Sequence, residues 1–575
     1  MKNIVLFDSL KAVKEKFNTF DPKKTYFLTL DISASEYLKT EGAKNYSNIF
    51  DLFSKEERLK IFFQSIKDLE KKLQILDKKY SKQLSRALGE KNLKFFYLSF
   101  KNLLFYEYFS HVFIQKSVNK ILKKKKFKNV YYINDQKINT SKVFKLNQTI
   151  QDTLKKNKKK YKIIYLKFKD FSPKVIFVSL VTLFLNLGII FDKIIKKSCL
   201  IFFNIKKKER KQCLFFFEDY KFHQFFNEKK FQIINLKKIE KKNLKNEEKK
   251  IINKLKFFFH KKSKNGIFET SLINYLVLNL ELYLTPLIKF KKLKKNFNNL
   301  KFSFWSRPVV NYPGYNLILE FLLKKNIPVI GRQHGACYID LLSLNQHYDM
   351  DFKRCNYWLS FAADNKKFSK TYSKFIKPCE ILPSGSNFSV IKKTKRKEID
   401  ILFPIQPMSP VSNLRPIDKE IYSNQKIILK TLDYQNKFKV MIKPPIRSNY
   451  ISDFHSNLSR KSFIINNYYS LKKTLKIYKP KLVILEYYST PLYDVIDDDC
   501  DIFLINETVE KIPVHVKNDL KKRVYLFDNV KELSRAIKRY KFKEKTRDTK
   551  FYQNFVNNGS IDKSLLKIQE AENIF

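Results

Sequence analysis

The fold is decided by the stretch Lys481-Leu-Val-Ile-Leu-Glu-Tyr-Tyr-Ser-Thr-Pro-Leu492. It reads as a buried apolar strand, then a turn, then the start of a helix, with Pro491 suited to the first helical turn. Either Ser489 or Thr490 would cap that helix. A short apolar strand that runs directly into a helix is typical of parallel sheets covered by helices, so this stretch predicts an α/β fold.

The same alternation extends along the chain. Strands are predicted at 4–7, 26–30, 130–134, 301–305, 327–331, 357–361, 399–403, 438–443, 463–465, 482–485 and 502–505. Helices are predicted most clearly at 56–79, 102–123, 315–325, 365–375, 418–434 and 530–540. Strands that alternate with helices favour parallel, doubly wound sheets. We therefore expect two Rossmann-like lobes that face each other across a cleft.

The length of 575 residues exceeds what one hydrophobic core supports and predicts two or three domains. A basic linker at 392–397 separates two parts of the chain. We expect a first lobe with helical insertions over 1–391 and a second lobe over 398–545. The tail, 546–575, is expected to pack back on the first lobe as a helix.

The charge and composition of the chain limit the kinds of partner it can bind. Lysine and arginine total 116 against 55 acidic residues, which gives a net charge of +61. Part of this excess fits the output of an AT-rich genome, since Lys, Phe and Tyr are abundant and Gly is scarce. A basic surface attracts phosphate-bearing partners, including nucleotides and an anionic membrane surface. No signature of a nucleic-acid-binding fold is present, so we expect no nucleic-acid partner.

The cysteines and the N-terminus bear on the compartment. None of the six cysteines forms a CxxC pair, which argues against zinc and fits a reduced compartment. The N-terminus lacks the apolar run of a secretory signal, so we expect a cytoplasmic protein, peripheral at the inner face of the plasma membrane. The 17 uncharged residues of 175–191 fit either a buried helix or a helix in the bilayer interface.

A candidate site follows the predicted strand 327–331, where Arg332-Gln333-His334-Gly335 ends the apolar run. Ligands of parallel sheets bind at the carboxyl ends of strands. A histidine there can act as a general base near neutral pH, and a glycine lets a substrate approach the backbone. The alternative is a histidine that only satisfies a turn.

The neighbouring predicted strand 301–305 delivers Ser306 and Arg307 to the same edge. Arg307 or Arg332 can bind phosphate through two parallel hydrogen bonds, and either can equally form a structural ion pair. Residues 384–386, Ser-Gly-Ser, close this part of the chain as a hinge loop or a simple turn.

The second lobe offers a matching edge. The helix that starts near Ser489 and Thr490 presents backbone N–H groups suited to a diphosphate. Glu486 at the strand end can accept hydrogen bonds from ribose or sugar hydroxyls, and Lys443 ends another strand within reach of the same phosphates. The alternative is plain helix capping. Two acidic runs, Asp349-Met-Asp351 and 497–499, are interpreted as chance spacing and a solvated turn, so we expect no metal.

Together, a strand ending in QHG, a lysine–proline strand end and the stretch LVI-x-[DE]-Y-x-ST-x-L resemble bacterial capsule and lipopolysaccharide transferases of the GT-B type. The likeness is looser to the CDP-glycerol polyol-phosphate transferases. It covers about 301–540 by motif and the earlier residues only by α/β pattern. The chain departs from the resemblance where Lys443-Pro-Pro replaces Lys-x-His-Pro, which leaves no second histidine there.

The resemblance implies a metal-independent glycosyltransferase that takes a nucleotide sugar as co-substrate and needs no cofactor. The acceptor would be a surface polysaccharide or a lipid-linked saccharide, bound by the first lobe, with His334 as the general base. The donor would contact Lys443, Glu486, Tyr487, Ser489 and Thr490. The acceptor or phosphate would contact Ser306, Arg307, Arg332, Gln333 and Gly335.

Three alternatives stay open at this point. They are a polyol-phosphate transferase, a nucleotide-sugar 2-epimerase, and a non-catalytic, membrane-associated protein of polysaccharide assembly.

Overall fold

The computed structural model describes most of the chain in separate ranges. These are residues 3–89, 94–124, 127–135, 146–157, 161–166, 211–217, 220–229, 231–236, 244–262, 267–292, 300–306, 312–335, 351–362, 379–386, 397–406, 418–435, 437–444, 463–465, 469–506, 512, 514–541 and 548–572.

Three sheets form the framework of these residues, and every strand pair in them is parallel. The first sheet contains β1 (Asn3–Phe7), β2 (Thr25–Thr29), β3 (Tyr46–Asn48), β4 (Asn129–Asn134) and β5 (Tyr161–Tyr165). The second contains β6 (Gln212–Phe215), β7 (Gln232–Asn235), β8 (Leu300–Trp305), β9 (Val329–Arg332), β10 (Tyr357–Ser360) and β11 (Glu380–Pro383). The third contains β12 (Lys397–Pro404), β13 (Val440–Lys443), β14 (Phe463–Ile465), β15 (Tyr478–Leu485), β16 (Asp501–Ile505) and β17 (Tyr525–Phe527).

Helices connect and cover these strands. In the first half they are α1 (Leu10–Lys16), α2 (Ile32–Thr40), α3 (Lys55–Leu88), α4 (Phe95–Lys124), α5 (Leu146–Lys156), α6 (Tyr220–Glu228), α7 (Asn246–Lys262) and α8 (Ile267–Lys292). In the second half they are α9 (Pro313–Lys324), α10 (Asp418–Tyr434), α11 (Leu471–Ile477), α12 (Thr490–Val495), α13 (Val514–Arg523), α14 (Val530–Arg539) and α15 (Ile561–Ala571).

The strand orders are those of doubly wound sheets. The first sheet runs β3-β2-β1-β4-β5 and the third runs β14-β13-β12-β15-β16-β17, so their order reverses between β1 and β4 and between β12 and β15. The second runs β11-β10-β9-β8-β6-β7. The predicted α/β class with doubly wound parallel sheets is confirmed. The crevice at the reversal between β12 and β15 is where such sheets bind ligands.

The region 1–391, treated as one lobe from the sequence, holds two sheets, so the structure has one sheet more than the two-lobed prediction. The 34-residue helix α3 and the 30-residue α4 separate β3 from β4 along the chain, so the sequence does not show that the early strands form a sheet of their own. They pack against α7, α8 and α9 in a large apolar core next to the second sheet. The domain boundaries themselves stay a prediction, although the second sheet ends at Pro383 and the third begins at Lys397.

The start and end of α3 follow directly from sequence. Ser54 accepts from the N–H of Glu57, and the Glu57 carboxylate accepts from the N–H of Ser54, which is a complete capping box. Gly89 ends the helix with φ +63°, a backbone conformation that glycine adopts without strain.

The third sheet and its tail contact the other two sheets. Arg58 pairs with Glu420 at 3.3 Å, and Lys426 pairs with Glu36 at 2.6 Å, which joins the first and third sheets through α10. The tail places α15 against β10 and β11 of the second sheet, while its residues Phe551 and Val556 belong to a core of the third sheet. Gly559 pairs with Ser384.

The uncharged run 175–191 lies outside the described residues. Among the residues that the structure describes, Phe268–Lys291 within α8 is long and apolar enough to cross a membrane, with a mean hydropathy of 1.3. Because 61% of that apolar window is buried inside the protein, its length and composition are weak evidence for a span.

Candidate functional site

The end of β9 presents one exposed and two buried side chains. His334 is exposed, whereas Arg332 and Gln333 are 2% and 3% exposed. Gln333 holds the turn in place, since its Nε2 donates to the carbonyl of Gly335 at 2.9 Å and its Oε1 accepts from the N–H of Phe361 at 3.0 Å. The side chain of Gln333 therefore fixes the backbone on both sides of His334.

The side chain of Arg332 makes its contacts inside the second sheet. Its guanidinium lies over the ring of Phe222 at 5.1 Å, and its Nη2 donates to the carbonyl of Gly385 at 3.5 Å. Burial on this scale favours the structural interpretation of Arg332 over a phosphate contact. Ser306 is half-buried after β8, and Arg307 lies outside the described residues.

The QHG turn of the second sheet faces the start of α12 from the third sheet. A Cβ added to Gly335 would lie 3.3 Å from the Oγ1 of Thr490. Thr490, like His334, is exposed. Gly335 and Thr490, which are 155 residues apart in sequence, are thus brought together at the boundary between two sheets.

The N-terminus of α12 differs in detail from the prediction. Ser489 is the N-cap residue, but its hydroxyl donates to the carbonyl of Tyr487 at 3.4 Å and makes no capping bond. The helix has only six residues, so its dipole adds little. The buried Tyr487 shapes the turn from inside, and what the turn offers to a ligand is its backbone N–H groups and Thr490.

Glu486 follows β15 directly and is 1% exposed, at the point where the strand order reverses. Its Oε2 accepts from the N–H of Gln406 at 2.6 Å and from the Nε2 of Gln425 at 3.1 Å. Its Oε1 is buried and accepts no hydrogen bond from the described residues. Burial raises the pKa of Glu486 to about 8, so the carboxyl group is largely protonated at neutral pH.

Gln425 carries a second buried acceptor in the same place. Its Nε2 also donates to the carbonyl of Gln406 at 3.1 Å, while its Oε1 has no hydrogen-bond partner among the described residues. Buried polar atoms are normally paired, so two unpaired oxygen atoms in one cluster indicate a missing partner. A ligand hydroxyl fits both, since it can donate to the Oε1 of Gln425 and accept from the protonated carboxyl group of Glu486.

Lys443 is the last residue of β13, the strand that pairs with β12. It is 4% exposed, and its Nζ contacts the carbonyl of Pro444. Burial lowers its pKa from the usual value of lysine. A cation that is already partly desolvated binds an anion strongly, because little further dehydration is needed.

A polar cavity of about 460 Å³ lies between β11 and the tail. Its walls include Ser384, Ser386, Asn557, Asp562 and Glu228. Gly385 adopts φ +71°, and Asn557 accepts from the N–H of Ser386 at 2.8 Å. The 384–386 loop is therefore held by the tail, which favours the turn over the hinge in the sequence interpretation.

The acidic runs show no metal centre in the described residues. Asp351 is 2% exposed and Asp349 lies outside the described ranges. No group of three or more potential metal ligands occurs among the residues searched.

Sequence analysis missed Gln406 and Gln425. A signal was present for Gln425, because it occupies the buried face of α10 together with Ile421, Ile428 and Leu429. A glutamine in the middle of an apolar helix face requires a buried partner. Gln406, two residues beyond a strand, gave no such signal.

Comparisons with known proteins were made for the whole chain. No family model matches, and no curated protein matches. Solved structures that are similar include a glycosyltransferase from Rickettsia africae, with 12% identity, 63% of this chain and 89% of that chain covered, and a TM-score of 0.33. Anabaena HepE in complex with UDP shows 8% identity, 63% and 92% coverage, and a TM-score of 0.32.

A third similar structure is Arabidopsis thaliana UGT89C1 complexed with UDP-L-rhamnose, with 9% identity, 80% and 90% coverage, and a TM-score of 0.29. At such identities and TM-scores, these likenesses carry no argument about this chain.

Proposed function

We propose that the protein transfers a sugar from a nucleotide-sugar donor to an acceptor hydroxyl. The proposal rests on the position of the His334–Gly335 turn of the second sheet, which faces Thr490 of the third sheet. Both lie beside Glu486, at the point where the strand order of the third sheet reverses. Doubly wound sheets bind nucleotides at such points, and a reaction between two substrates needs both held at one boundary.

The donor half of the site is the third sheet. The unpaired Oε1 atoms of Glu486 and Gln425 form hydrogen bonds with ribose or sugar hydroxyls. The N–H groups at Ser489 and Thr490 and the ammonium of Lys443 lie at the same sheet edge and bind the diphosphate. Tyr487 supports this turn from the core.

The acceptor half is the second sheet. The imidazole of His334 removes the proton from the acceptor hydroxyl, whose oxygen forms a bond to the anomeric carbon. The bond from that carbon to the diphosphate oxygen breaks, and the nucleoside diphosphate leaves with the electron pair. Lys443 and the backbone N–H groups stabilise the charge that develops on the leaving oxygen. No metal or cofactor enters this scheme.

The acceptor is proposed to be a surface polysaccharide or a lipid-linked saccharide of a bacterial envelope, with the protein in the cytoplasm at the inner membrane face. The basic charge of +61 supports a partner that carries phosphate, as a lipid-diphosphate does.

The test is turnover of UDP-, CDP-, GDP- and dTDP-sugars and of CDP-glycerol, each with and without saccharide acceptors. Release of a nucleoside diphosphate that depends on both a sugar donor and an acceptor supports the proposal. Conversion of a donor without acceptor would indicate an epimerase, turnover of CDP-glycerol would indicate polyol-phosphate transfer, and binding without any turnover would indicate an assembly protein.

A further inference from the structure

Two neighbouring helices present large apolar side chains to solvent. Leu278 and Leu282, one turn apart on α8, are 82% and 69% exposed, and Phe257 on α7 is 72% exposed. Single exposed apolar residues are normal on protein surfaces. Three of them on two packed helices require an explanation.

The opposite faces of both helices are buried in one core. Ile252, Leu255 and Phe259 of α7 and Leu272, Ile273, Leu276 and Leu280 of α8 belong to the same apolar cluster. The helices pack side by side, joined by a short connection between Lys262 and Ile267. Because both bury their inner faces in this cluster, Phe257, Leu278 and Leu282 point away from it into solvent.

Exposed lysines surround the apolar residue of α7. Lys250, Lys254, Phe257 and Lys261 are all exposed, and their spacing of four, three and four residues places them on one side of the helix. Acidic residues are also present, since Glu247 and Glu281 are exposed on the same pair of helices. Apolar side chains set among lysines on a helix surface are typical of helices that lie on anionic membranes.

We propose that the α7–α8 face, defined as Lys250, Lys254, Phe257, Lys261, Leu278 and Leu282, docks onto the surface of an anionic lipid bilayer. The leucines and the phenylalanine enter the interface between headgroups and acyl chains, while the lysines remain at the level of the anionic headgroups. This inference is independent of the proposed reaction.

Charge decides between the candidate occupants of this face. A second copy of the chain would bring another net charge of +61 against the first, which opposes self-association. An anionic bilayer is complementary to the lysines, and each lysine near such a surface strengthens partitioning on the order of fivefold.

The experiment is sedimentation of the full-length protein with vesicles of phosphatidylcholine alone or phosphatidylcholine mixed with phosphatidylglycerol. The test variants are Leu278→Ser with Leu282→Ser, and Lys250→Glu with Lys254→Glu. Matched controls on the third sheet are Tyr434→Ser with Val514→Ser, which are 78% and 74% exposed, and Lys476→Glu with Lys479→Glu. Each control pair changes apolarity or net charge as its test pair does, and all sites are exposed, so folding is retained.

The proposal predicts binding to the phosphatidylglycerol vesicles, a loss of at least roughly tenfold in both test variants, and little change in the controls. Equal losses in test and control lysine variants would show that net charge alone drives binding and would overturn the proposal. Unchanged binding in the leucine variant would also overturn it. Light scattering that shows a dimer abolished by the leucine variant would assign the face to a second copy instead.

Discussion

The carboxyl ends of β9 and β15 both carry polar residues in parallel sheets, yet these residues are organised in opposite ways. After β9, His334 is exposed and a buried glutamine holds the backbone around it. After β15, the carboxyl group of Glu486 is itself buried and bound to two glutamines, with one oxygen left without a partner. The proposed function accounts for this difference, with proton removal at His334 and recognition of hydroxyl groups at Glu486.

The largest effect is expected at the exposed side. His334→Ala should lower kcat roughly 100- to 10,000-fold, the usual contribution of a general base, while nucleotide affinity stays unchanged. Steady-state kinetics and equilibrium nucleotide binding would measure the two quantities. The exposed His515 of α13 provides the matched control, and His515→Ala should leave both unchanged. Full activity in His334→Ala would remove the histidine from the mechanism.

On the buried side, substitutions of Glu486 are expected to change the free energy of unfolding. Glu486→Ala leaves the N–H of Gln406 without its acceptor, which should lower the free energy of unfolding by about 2 kcal/mol. Glu486→Gln keeps an acceptor oxygen and the volume, so it should cost far less at neutral pH, where the carboxyl group is largely protonated. Denaturant unfolding of the two variants checks this order, and equal stability losses would contradict it.

The pH dependence of stability is expected to differ between the wild type and Glu486→Gln. The pKa of Glu486 rises from 4.5 in the unfolded chain to about 8 in the fold, so the folded state binds the extra proton between these values. The free energy of unfolding of the wild type should therefore fall, relative to Glu486→Gln, as the pH rises from about 4.5 to about 8. Unfolding curves of both proteins across this range measure it. Parallel pH profiles would mean that the carboxyl group titrates normally.

A smaller effect on kcat is expected when the hydrogen bonds that hold the turn around His334 are removed. Gln333→Ala removes both hydrogen bonds that fix the turn, so His334 should lose its alignment and kcat should fall about tenfold with little change in the KM for the donor. Gln333→Glu retains the acceptor for the N–H of Phe361 but loses the donor to Gly335, and it should restore only part of the rate. A rise in KM at unchanged kcat would instead indicate that Gln333 contacts the substrate.

The smallest effect on activity is expected at the contact between Gly335 and Thr490. Gly335→Ala places a methyl group 3.3 Å from the Oγ1 of Thr490, a tight contact that small shifts can relieve, so activity should fall only about two- to threefold. Thr490→Ala in the same protein removes that oxygen and should restore the rate if the contact is the cause. Double-mutant analysis of kcat/KM measures the coupling, and additive effects would show that the two turns act independently.

The sequence was sufficient for elements that carry their own local signals. The strand 463–465 has the predicted bounds, and the site strands β9 and β15 end where the apolar runs end. Local patterns also predicted that His334 and Gly335 follow one strand and Thr490 another, in two lobes that face each other. The close approach of Gly335 to Thr490 became visible only in the structure.

Other features depend on distant contacts, whose partners the local pattern does not specify. Gln333 is fixed by Phe361, 28 residues later, and Glu486 binds Gln406 and Gln425, 80 and 61 residues earlier. The division of the region 1–391 into two sheets was not predicted, because helices α3 and α4 separate the third and fourth strands of the first sheet along the chain. The buried state of Arg332 followed from packing on Phe222, which its position at a strand end did not indicate.

The most direct test of the account is equilibrium binding of UDP, CDP, GDP, dTDP and CMP to the wild type, His334→Ala and Glu486→Gln, followed as a shift in Tm. The account predicts that one nucleotide raises the Tm of the wild type and of His334→Ala equally, and that Glu486→Gln weakens or abolishes this shift. If no nucleotide changes the Tm at millimolar concentration, or if Glu486→Gln responds as the wild type does, the third sheet does not bind the donor as proposed.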